Sequence, residues 1–207
     1  MKVTGNILGD MTGQLGKKIV AFTWKGIDCF RSYVIPANPD TGPQQTQRNL
    51  FSAVIAFAVG CLDSIINTYW NKWAIQQSPY NAFVKYNLLA WTNTTDFANA
   101  IVAKGSLFNP GITDAVYSAT AVDFTFPDSL GGNGLATDSV GACVYDSSTG
   151  KWYTTTTTAT RADEGITVTI DAGLTVGNLK GYLWFYRDLG TGNEDVSNSD
   201  YIQVTAP

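Results

Sequence analysis

Residues 140–160 read VGACVYDSSTGKWYTTTTTAT and carry the alternation of a β-hairpin. Val140, Ala142 and Val144 are spaced at the two-residue period of a strand that is buried on one face. The polar turn at 146–150 returns the chain into a threonine-rich segment with high β propensity. We therefore predict two neighbouring antiparallel strands in this stretch.

The same two-residue period appears on both sides of this hairpin. Residues 122–126 read VDFTF and residues 166–170 read ITVTI, and the segments GYLWFYRD and DYIQVT complete the chain. Six or seven short strands of this kind are typical of an antiparallel sandwich. We predict an all-β, immunoglobulin-like sandwich domain over residues 105–207.

The beginning of the chain predicts a separate hairpin. The segments KKIVAFTW at 17–24 and IDCFRSYV at 27–34 are rich in β-branched and aromatic residues, and they flank the two-residue turn Lys25-Gly26. The segment IPANPDTGP that follows contains three prolines. Because proline fixes φ and has no N–H donor, this segment predicts an extended connector.

Helical spacing begins after this connector. Pro43 suits the first turn of a helix, and from Leu50 onward apolar residues recur three or four positions apart. The pair Ser78-Pro79, a cap followed by proline, predicts the start of another helix. We predict a hairpin with two or three helices over residues 1–104, and an α+β fold for the chain.

The composition favours a protein that binds other protein surfaces. Charged residues make up 14% of the chain and aromatic residues 13%, whereas a charged share of about 25% is usual. Aromatic side chains are enriched at protein interfaces. We therefore expect lasting contacts with copies of this chain and with other structural proteins, although two well-filled cores would explain the same composition.

The net charge of −4 argues against a nucleic-acid partner bound by a general basic surface. The charge is divided unevenly, since residues 1–104 carry +4 and residues 105–207 carry −8. This asymmetry favours head-to-tail attraction between neighbouring subunits. Unevenly charged loops would produce the same asymmetry.

The sequence contains no histidine, which removes the commonest general base at neutral pH and the commonest metal ligand. No Ser-His-Asp or Cys-His arrangement is available within one chain. The two glutamates, Glu164 and Glu194, each stand beside an aspartate in segments typical of solvated turns. We predict a non-enzymatic protein with no catalytic residues and no cofactor.

The sequence also lacks the spacing of metal and nucleotide motifs. Cys29, Cys61 and Cys143 form no CxxC pair, so the sequence indicates neither a zinc site nor a disulfide framework, and it favours buried thiols. The glycine-rich GDMTGQLGKK does not have the spacing of a phosphate loop. The acidic TGNED at 191–195 lacks the ligand spacing of a calcium loop. We predict no metal site.

Two observations concern membranes and export. No apolar run reaches the about 18 residues that a membrane span needs, and residues 1–18 lack the apolar core of an export signal. We expect a chain that is synthesised in the cytoplasm without a cleaved signal peptide and that has no membrane span.

Eight residues are candidates for interface positions because they are aromatic or lie on a predicted edge strand. They are Phe22, Trp24, Phe30, Tyr33, Trp70, Trp73, Thr156 and Trp184. The threonine run at 154–158 is typical of an exposed edge strand, which recruits partners by backbone pairing. Trp184, with Tyr182 and Tyr186 on the same strand face, would also offer a platform for weak glycan contact. One face of a central strand normally enters the core, which favours a structural role for these rings.

Residues 24–51, WKGIDCFRSYVIPANPDTGPQQTQRNLF, resemble a motif of a family of uncharacterised proteins from Bacteroidota-type bacteria and their phages and prophages. Further matches follow in the same order: YNAFVKYNL at 80–88, AKGSL at 103–107, and the terminal pattern Ser197-x-Ser199-x-Tyr201. This chain departs from the family pattern by an inserted Gly42 and by an apolar stretch around 59–66.

The resemblance implies an N-terminal hairpin–helix region, an immunoglobulin-like C-terminal domain and a phage-linked or surface-linked structural role. It brings no catalytic residues. Our first hypothesis is a virion protein, such as a head decoration, fibre or tail-associated component, located in the virion or an extracellular assembly. A subunit of a bacterial extracellular filament or surface layer is one alternative. A glycan-binding module is an alternative of a different class.

Overall fold

A computed structural model describes residues 12–35, 40–189 and 195–207. It contains helices and antiparallel sheets, so the predicted α+β fold class is confirmed. The chain divides into two compact units, Met1–Gly42 and Pro43–Pro207. The boundary that we predicted at 104/105 falls inside the second unit, because the helices before that point share an apolar core with the strands after it.

The first unit contains a three-stranded antiparallel sheet. Its strands are β1 (Gly13–Leu15), β2 (Ile19–Trp24) and β3 (Ile27–Ser32), with β2 in the middle. Lys25 and Gly26 have φ values of +50° and +75°, the two positive values of a type I′ turn, whose twist matches that of the flanking strands. The predicted hairpin is confirmed. Pro36 and Pro39 of the predicted connector lie outside the described residues.

The second unit begins with helices. They are α1 (Gly42–Val59), a π-helical segment (Leu62–Ile66), α2 (Asn67–Tyr69) and α3 (Pro79–Ala90), with 3-10 turns at Asn71–Trp73 and Phe97–Asn99. The predicted cap of α3 is confirmed, because the Ser78 hydroxyl oxygen accepts a hydrogen bond from the Asn81 N–H at 3.2 Å. Pro79 occupies the first turn of α3, where its missing N–H costs no helical hydrogen bond.

The helical chain bends sharply after α1. The axes of α1 and of the segment Leu62–Tyr69 differ by 73°. At Gly60 an added Cβ atom would lie 2.5 Å from Cδ1 of Trp152, so glycine permits a close approach of the helix end to the sheet. Within the described ranges no single helix is long and apolar enough to cross a membrane; α1 and Leu62–Tyr69 pass that test only as a bent pair.

Eight strands form the two sheets of the second unit. They are β4 (Asp114–Ser118), β5 (Ala121–Thr125), β6 (Ser139–Asp146), β7 (Lys151–Thr154), β8 (Gly165–Thr169), β9 (Leu179–Arg187), β10 (Asp195–Val196) and β11 (Asp200–Gln203). One sheet has the order β4-β5-β8. In the other, β7-β6-β9, both β10 and β11 pair with the free edge of β9. The chain passes between the two antiparallel sheets three times, from β5 to β6, from β7 to β8 and from β8 to β9, an arrangement compatible with the predicted immunoglobulin-like sandwich.

The end of the chain connects the two sheets. After β11, Thr205 pairs in parallel with Val116 of β4. Its N–H donates to the Ala115 carbonyl at 2.9 Å, and its carbonyl accepts from the Tyr117 N–H at 2.9 Å. The last residues therefore satisfy backbone groups on β4, which would otherwise be an open sheet edge.

Strand β9 is buried on both faces. Leu183 and Phe185 belong to the apolar core between the two sheets. Tyr182 and Trp184 belong to a second core, in which the helices cover the outer face of β6 and β9. The second unit therefore has three layers, helices on sheet on sheet, which explains why the segment GYLWFYRD is apolar or aromatic at successive positions.

Candidate interaction surfaces

The sheet of the first unit exposes aromatic and aliphatic side chains on one face. In the β2–β3 register Trp24 pairs with Ile27, and Phe22 lies two residues from Trp24, so the three side chains share this face. Their exposed fractions are 45%, 40% and 38% for Trp24, Ile27 and Phe22. Two cations flank the rings: Lys25 Nζ lies 5.3 Å from the Trp24 ring centroid, and Arg31 Cζ lies 5.9 Å from that of Phe22. We call these five residues the hairpin face.

The other two predicted interface residues of the hairpin lie elsewhere. Phe30 pairs with Ala21, on the opposite face of the sheet, and is half-buried. Tyr33 follows the end of β3, where its N–H donates to the Lys18 carbonyl at 2.8 Å. The structure therefore places Phe22 and Trp24 on one face of the sheet and Phe30 on the other, with Tyr33 just beyond the end of β3.

Three predicted interface tryptophans lie within the second unit, and two of them belong to its core. Trp70 is fully buried, with its Nε1 donating to the Val102 carbonyl at 2.8 Å. Trp184 is 2% exposed, because the helices cover the strand face on which it lies. Neither ring is accessible as an interface anchor, and Trp184 offers no open platform for a sugar ring. Trp73 is half-buried and donates to the Lys104 carbonyl at 2.8 Å.

The threonine run departs from regular pairing after β7. The Thr155 N–H donates to the Ala142 carbonyl, and the Ala159 carbonyl accepts from the Val140 N–H. The chain advances four residues, from Thr155 to Ala159, while β6 advances only two, between Ala142 and Val140. The segment between these two hydrogen bonds therefore bulges away from the sheet. Thr156, predicted on an edge strand, is exposed on this bulge.

A pocket of about 220 Å³ opens where the bulge leaves β6. Its lining includes Ser64 of the π-helical segment, Tyr69, Gly141, Trp184, Tyr186 and the threonine run at 154–158. A Cβ atom added to Gly141 would lie 2.6 Å from Trp184 Nε1. Within the described part of the chain this buried Nε1 has no hydrogen-bond acceptor. A buried N–H without a partner is uncommon and calls for an explanation.

A groove of about 730 Å³ lies between α1 and α3, and its lining is mainly apolar. Phe51 and Leu89 on its rim are 48% and 77% exposed. Ile55 and Val84 also line the groove, and Lys85 is its charged lining residue. Exposed apolar surface of this kind is typical of contact sites.

A buried ionic cluster joins the loops at one end of the sandwich. Asp138 and Arg161 have fully buried side chains, and Arg161 Nη2 lies 3.4 Å from Asp138 Oδ2. Arg187 donates from Nε to Asp138 Oδ1 at 2.7 Å, while Arg161 also donates to the carbonyls of Leu135 and Phe108 at 3.2 and 2.8 Å. Burial lowers the pKa of the Arg161 guanidinium from its ordinary value, and the charge of Asp138 opposes this shift. The cluster is enclosed by its own hydrogen bonds, which favours a structural role.

The acidic residues singled out in the sequence lie at turns and strand ends where the structure describes them. Within residues 12–35, 40–189 and 195–207 no three Cys, Asp or Glu side chains are grouped to hold a metal ion. Asp163 caps a turn, and the backbone N–H of Thr160, 2.7 Å away, lowers the pKa of its carboxyl. Glu194 of the second acidic pair lies outside the described ranges, and so do residues 191–193 of the TGNED segment. Asp195 starts β10, with Lys72 Nζ 3.5 Å from its Oδ1.

Sequence reasoning did not identify the pocket beside Gly141 or the ionic cluster. The pocket requires the π-helical segment to lie over β6 and β9, and the cluster joins Asp138, Arg161 and Arg187, which are distant in sequence. Gly141 within an otherwise apolar strand was a usable signal, because a glycine inside a strand often marks a close approach.

Comparison with known proteins places the chain in a family. No curated protein and no solved structure matches it. The sequence profile of a family of unknown function, DUF6266, matches residues 10–203, which is nearly the whole chain. The chain therefore belongs to the DUF6266 family.

Proposed function

We propose that this protein is a non-enzymatic structural subunit that assembles through the hairpin face, and that its assembly is a phage virion. The observation that carries the proposal is the exposure of Phe22, Trp24 and Ile27 on a small separate unit. A three-stranded sheet needs to cover an apolar face to be stable, and chains of about 40 residues usually need oligomerisation or a crosslink to fold. A protein partner would supply that cover.

Charge supports a second copy of this chain as the partner. The described residues 12–35 carry a net charge of +3, whereas residues 43–207 carry −6. Opposite charges on two surfaces steer them together and fix their orientation. The α1–α3 groove is a poor electrostatic match for the hairpin face, since Lys85 lies in it. We therefore place the contact between the hairpin of one copy and an acidic surface of the next.

The chemistry of the sequence is consistent with this role. The chain has no histidine, and the fully buried ion pair of Arg161 and Asp138 is enclosed by hydrogen bonds to loop carbonyls. The resemblance of residues 24–51 to proteins of Bacteroidota and their phages supports a virion as the assembly. Mass spectrometry of purified phage particles tests that location, and absence of the protein from particles would contradict it.

The oligomeric state tests the assembly itself. Light scattering on the purified chain is expected to show ordered oligomers whose mass decreases as salt is raised, because salt screens exposed charges. The double variant Phe22→Ser, Trp24→Ser should be monomeric under the same conditions. The matched control is Ile75→Ser, which removes an apolar side chain that is 77% exposed in the second unit.

The two variants separate the hairpin face from general surface hydrophobicity. Ile75→Ser should assemble like the unmodified chain. A chain that remains monomeric at high concentration, or a double variant that assembles as well as the unmodified chain, would overturn the proposal. Circular dichroism of each variant checks that the second unit is still folded.

A further inference from the structure

The β4-β5-β8 sheet has one covered edge and one open edge. At the β4 edge, Thr205 pairs in parallel with Val116, and the end of the chain satisfies backbone groups there. At the other edge β8 pairs with β5, and among the described residues no backbone group hydrogen-bonds to the far side of β8. The chain thus protects one edge of this sheet and leaves the other open to pairing.

The register of β8 shows which backbone groups point out of the open edge. Directly after β8, the Ile170 N–H donates to the Thr120 carbonyl at 2.8 Å. Residues that bond to the neighbouring strand alternate with residues that do not, so Val168 directs its N–H and carbonyl toward β5. Thr167 and Thr169 therefore direct theirs outward, and both residues are exposed.

The surroundings of this edge are acidic. Asp163 and Glu164 precede β8 and Asp171 follows it, all three are exposed, and residues 162–171 contain no Lys or Arg. Lys151 pairs with Asp171, so the unbalanced negative charge lies at the beginning of the strand. Such an edge favours a cationic partner.

The hairpin of the first unit offers a strand that matches this edge. β3 is an edge strand of its sheet and has six residues, against five in β8. Because the Tyr33 N–H donates to the Lys18 carbonyl of the neighbouring chain segment, the same alternation directs the backbone groups of Phe30 and Ser32 away from β2. The hairpin carries a net charge of +3 over residues 12–35. The two open edges therefore have opposite charge.

We propose that β3 of one copy pairs with β8 of the next, so that the hairpin sheet extends the β4-β5-β8 sheet across the subunit boundary. The inference rests on the proposed assembly and names the surface that receives the hairpin. Pairing of strand edges supplies backbone hydrogen bonds, and the acidic start of β8 attracts the hairpin cations. A groove of about 470 Å³, bordered by β8 and residues 157–159, leaves space beside the strand for incoming side chains.

Hydrogen exchange, read residue by residue by mass spectrometry, tests this pairing. The comparison is between the assembled chain and the monomeric double variant Phe22→Ser, Trp24→Ser. The amides of Thr167 and Thr169 are expected to exchange at least about tenfold more slowly in the assembled chain, because pairing protects a backbone N–H. The amide of Val168 is the internal control, since it faces β5 and should be protected in both proteins. Equal exchange of Thr167 and Thr169 in the two proteins would overturn the inference.

Proline at an outward position of β8 removes one pairing donor. Thr169→Pro deletes an N–H that points away from β5, and proline is tolerated on an edge strand when the missing N–H faces solvent. The variant should remain folded, and its affinity for a neighbouring copy should decrease by about tenfold or more. The matched control is Thr169→Val, which keeps the N–H and should assemble like the unmodified chain. Full assembly of Thr169→Pro would contradict the pairing.

Mixing two defective variants distinguishes hairpin-to-β8 pairing from contacts between like edges. Thr169→Pro keeps an intact hairpin, and the double variant Phe22→Ser, Trp24→Ser keeps an intact β8. At a concentration where each variant alone is monomeric, light scattering on an equimolar mixture should show pairs of two chains. If the unmodified chain forms oligomers but the mixture forms no pairs, the inference is overturned and the proposed assembly is retained. An unmodified chain that stays monomeric would overturn both.

Charge reversal keeps the test decisive if Thr169→Pro fails to fold. Glu164→Lys reverses the charge at an exposed position directly before β8 and should weaken assembly. Asp63→Lys makes the same change at an exposed position of the π-helical segment and should leave assembly unchanged. Equal assembly of these two variants would exclude the β8 edge as the receiving surface.

Discussion

Gly141 of β6 lies directly opposite Trp184 of β9, and the indole occupies the space that a side chain at position 141 would need. A Cβ atom on residue 141 would overlap Cε2 of Trp184 and lie 2.6 Å from its Cζ2. The pair thus fixes how closely the helical layer, which covers Trp184, packs on the sheet.

The variant Gly141→Ala should destabilise the protein by about 1–3 kcal/mol, the usual cost of overpacking a core. Chemical denaturation followed by tryptophan fluorescence measures this change. Gly177→Ala is the control, because a Cβ atom at that position meets no atom within 4 Å. Equal stability of the two variants would show that the Trp184 ring moves aside without cost.

The buried carboxylate of Asp138 should be essential for stability. Asp138→Ala leaves the fully buried Arg161 without its counter-charge and should cost about 3–5 kcal/mol in unfolding free energy. Asp128→Ala removes the same charge from an exposed position and should change stability little. A small effect of Asp138→Ala in urea denaturation would mean that water enters the cluster.

The three cysteines should differ in reactivity. Burial raises the pKa of the Cys61 and Cys143 thiols well above their ordinary value, so little nucleophilic thiolate is present at neutral pH. Cys29 is only half-buried. In the double variant Phe22→Ser, Trp24→Ser, in which no neighbouring copy covers Cys29 opposite residue 22, alkylation followed by mass spectrometry should modify one thiol per native chain and three in denaturant. The variant Cys29→Ser should leave no thiol reactive in the native protein, and rapid labelling of this variant would contradict the burial of the other two.

Asp96 should make stability depend on pH at acidic values. The backbone N–H and the hydroxyl of Thr92, at 2.9 and 2.7 Å, lower the pKa of this carboxyl below its ordinary value of 3.8. When folding lowers the pKa of a carboxylate, the ionised group stabilises the folded state. This contribution is complete at pH values above the pKa of the unfolded state, and it is lost as the pH falls through the pKa of the folded state. Asp96→Asn should therefore be less stable than the unmodified chain at neutral pH.

The difference between these two proteins should shrink as the pH falls below 3.8 and the carboxyl becomes protonated. Thermal unfolding at a series of pH values measures it, with Asp128→Asn as the control at an exposed position. A difference that stays constant down to strongly acidic pH would exclude the ionised carboxylate as the cause.

Local sequence determined the elements of this protein well. The Lys25-Gly26 turn needs two positive φ values between twisted strands, and the Ser78 hydroxyl caps the helix that begins at Pro79. The two-residue period of VDFTF and ITVTI marks strands with one buried face. These features depend on residues close in the chain, so spacing and residue type are sufficient to predict them.

Tertiary structure decided which surfaces are covered. The helices lie on the outer face of β6 and β9 and make Trp70 and Trp184 core residues, whereas periodicity alone left either face of β9 free to enter the core. The pocket beside Gly141 and the cluster around Asp138 likewise bring together segments that are far apart in sequence. The composition predicted many aromatic side chains at interfaces. Whether a side chain is buried depends on which layers of the fold pack together, so only the folded chain determines which aromatic side chains remain exposed.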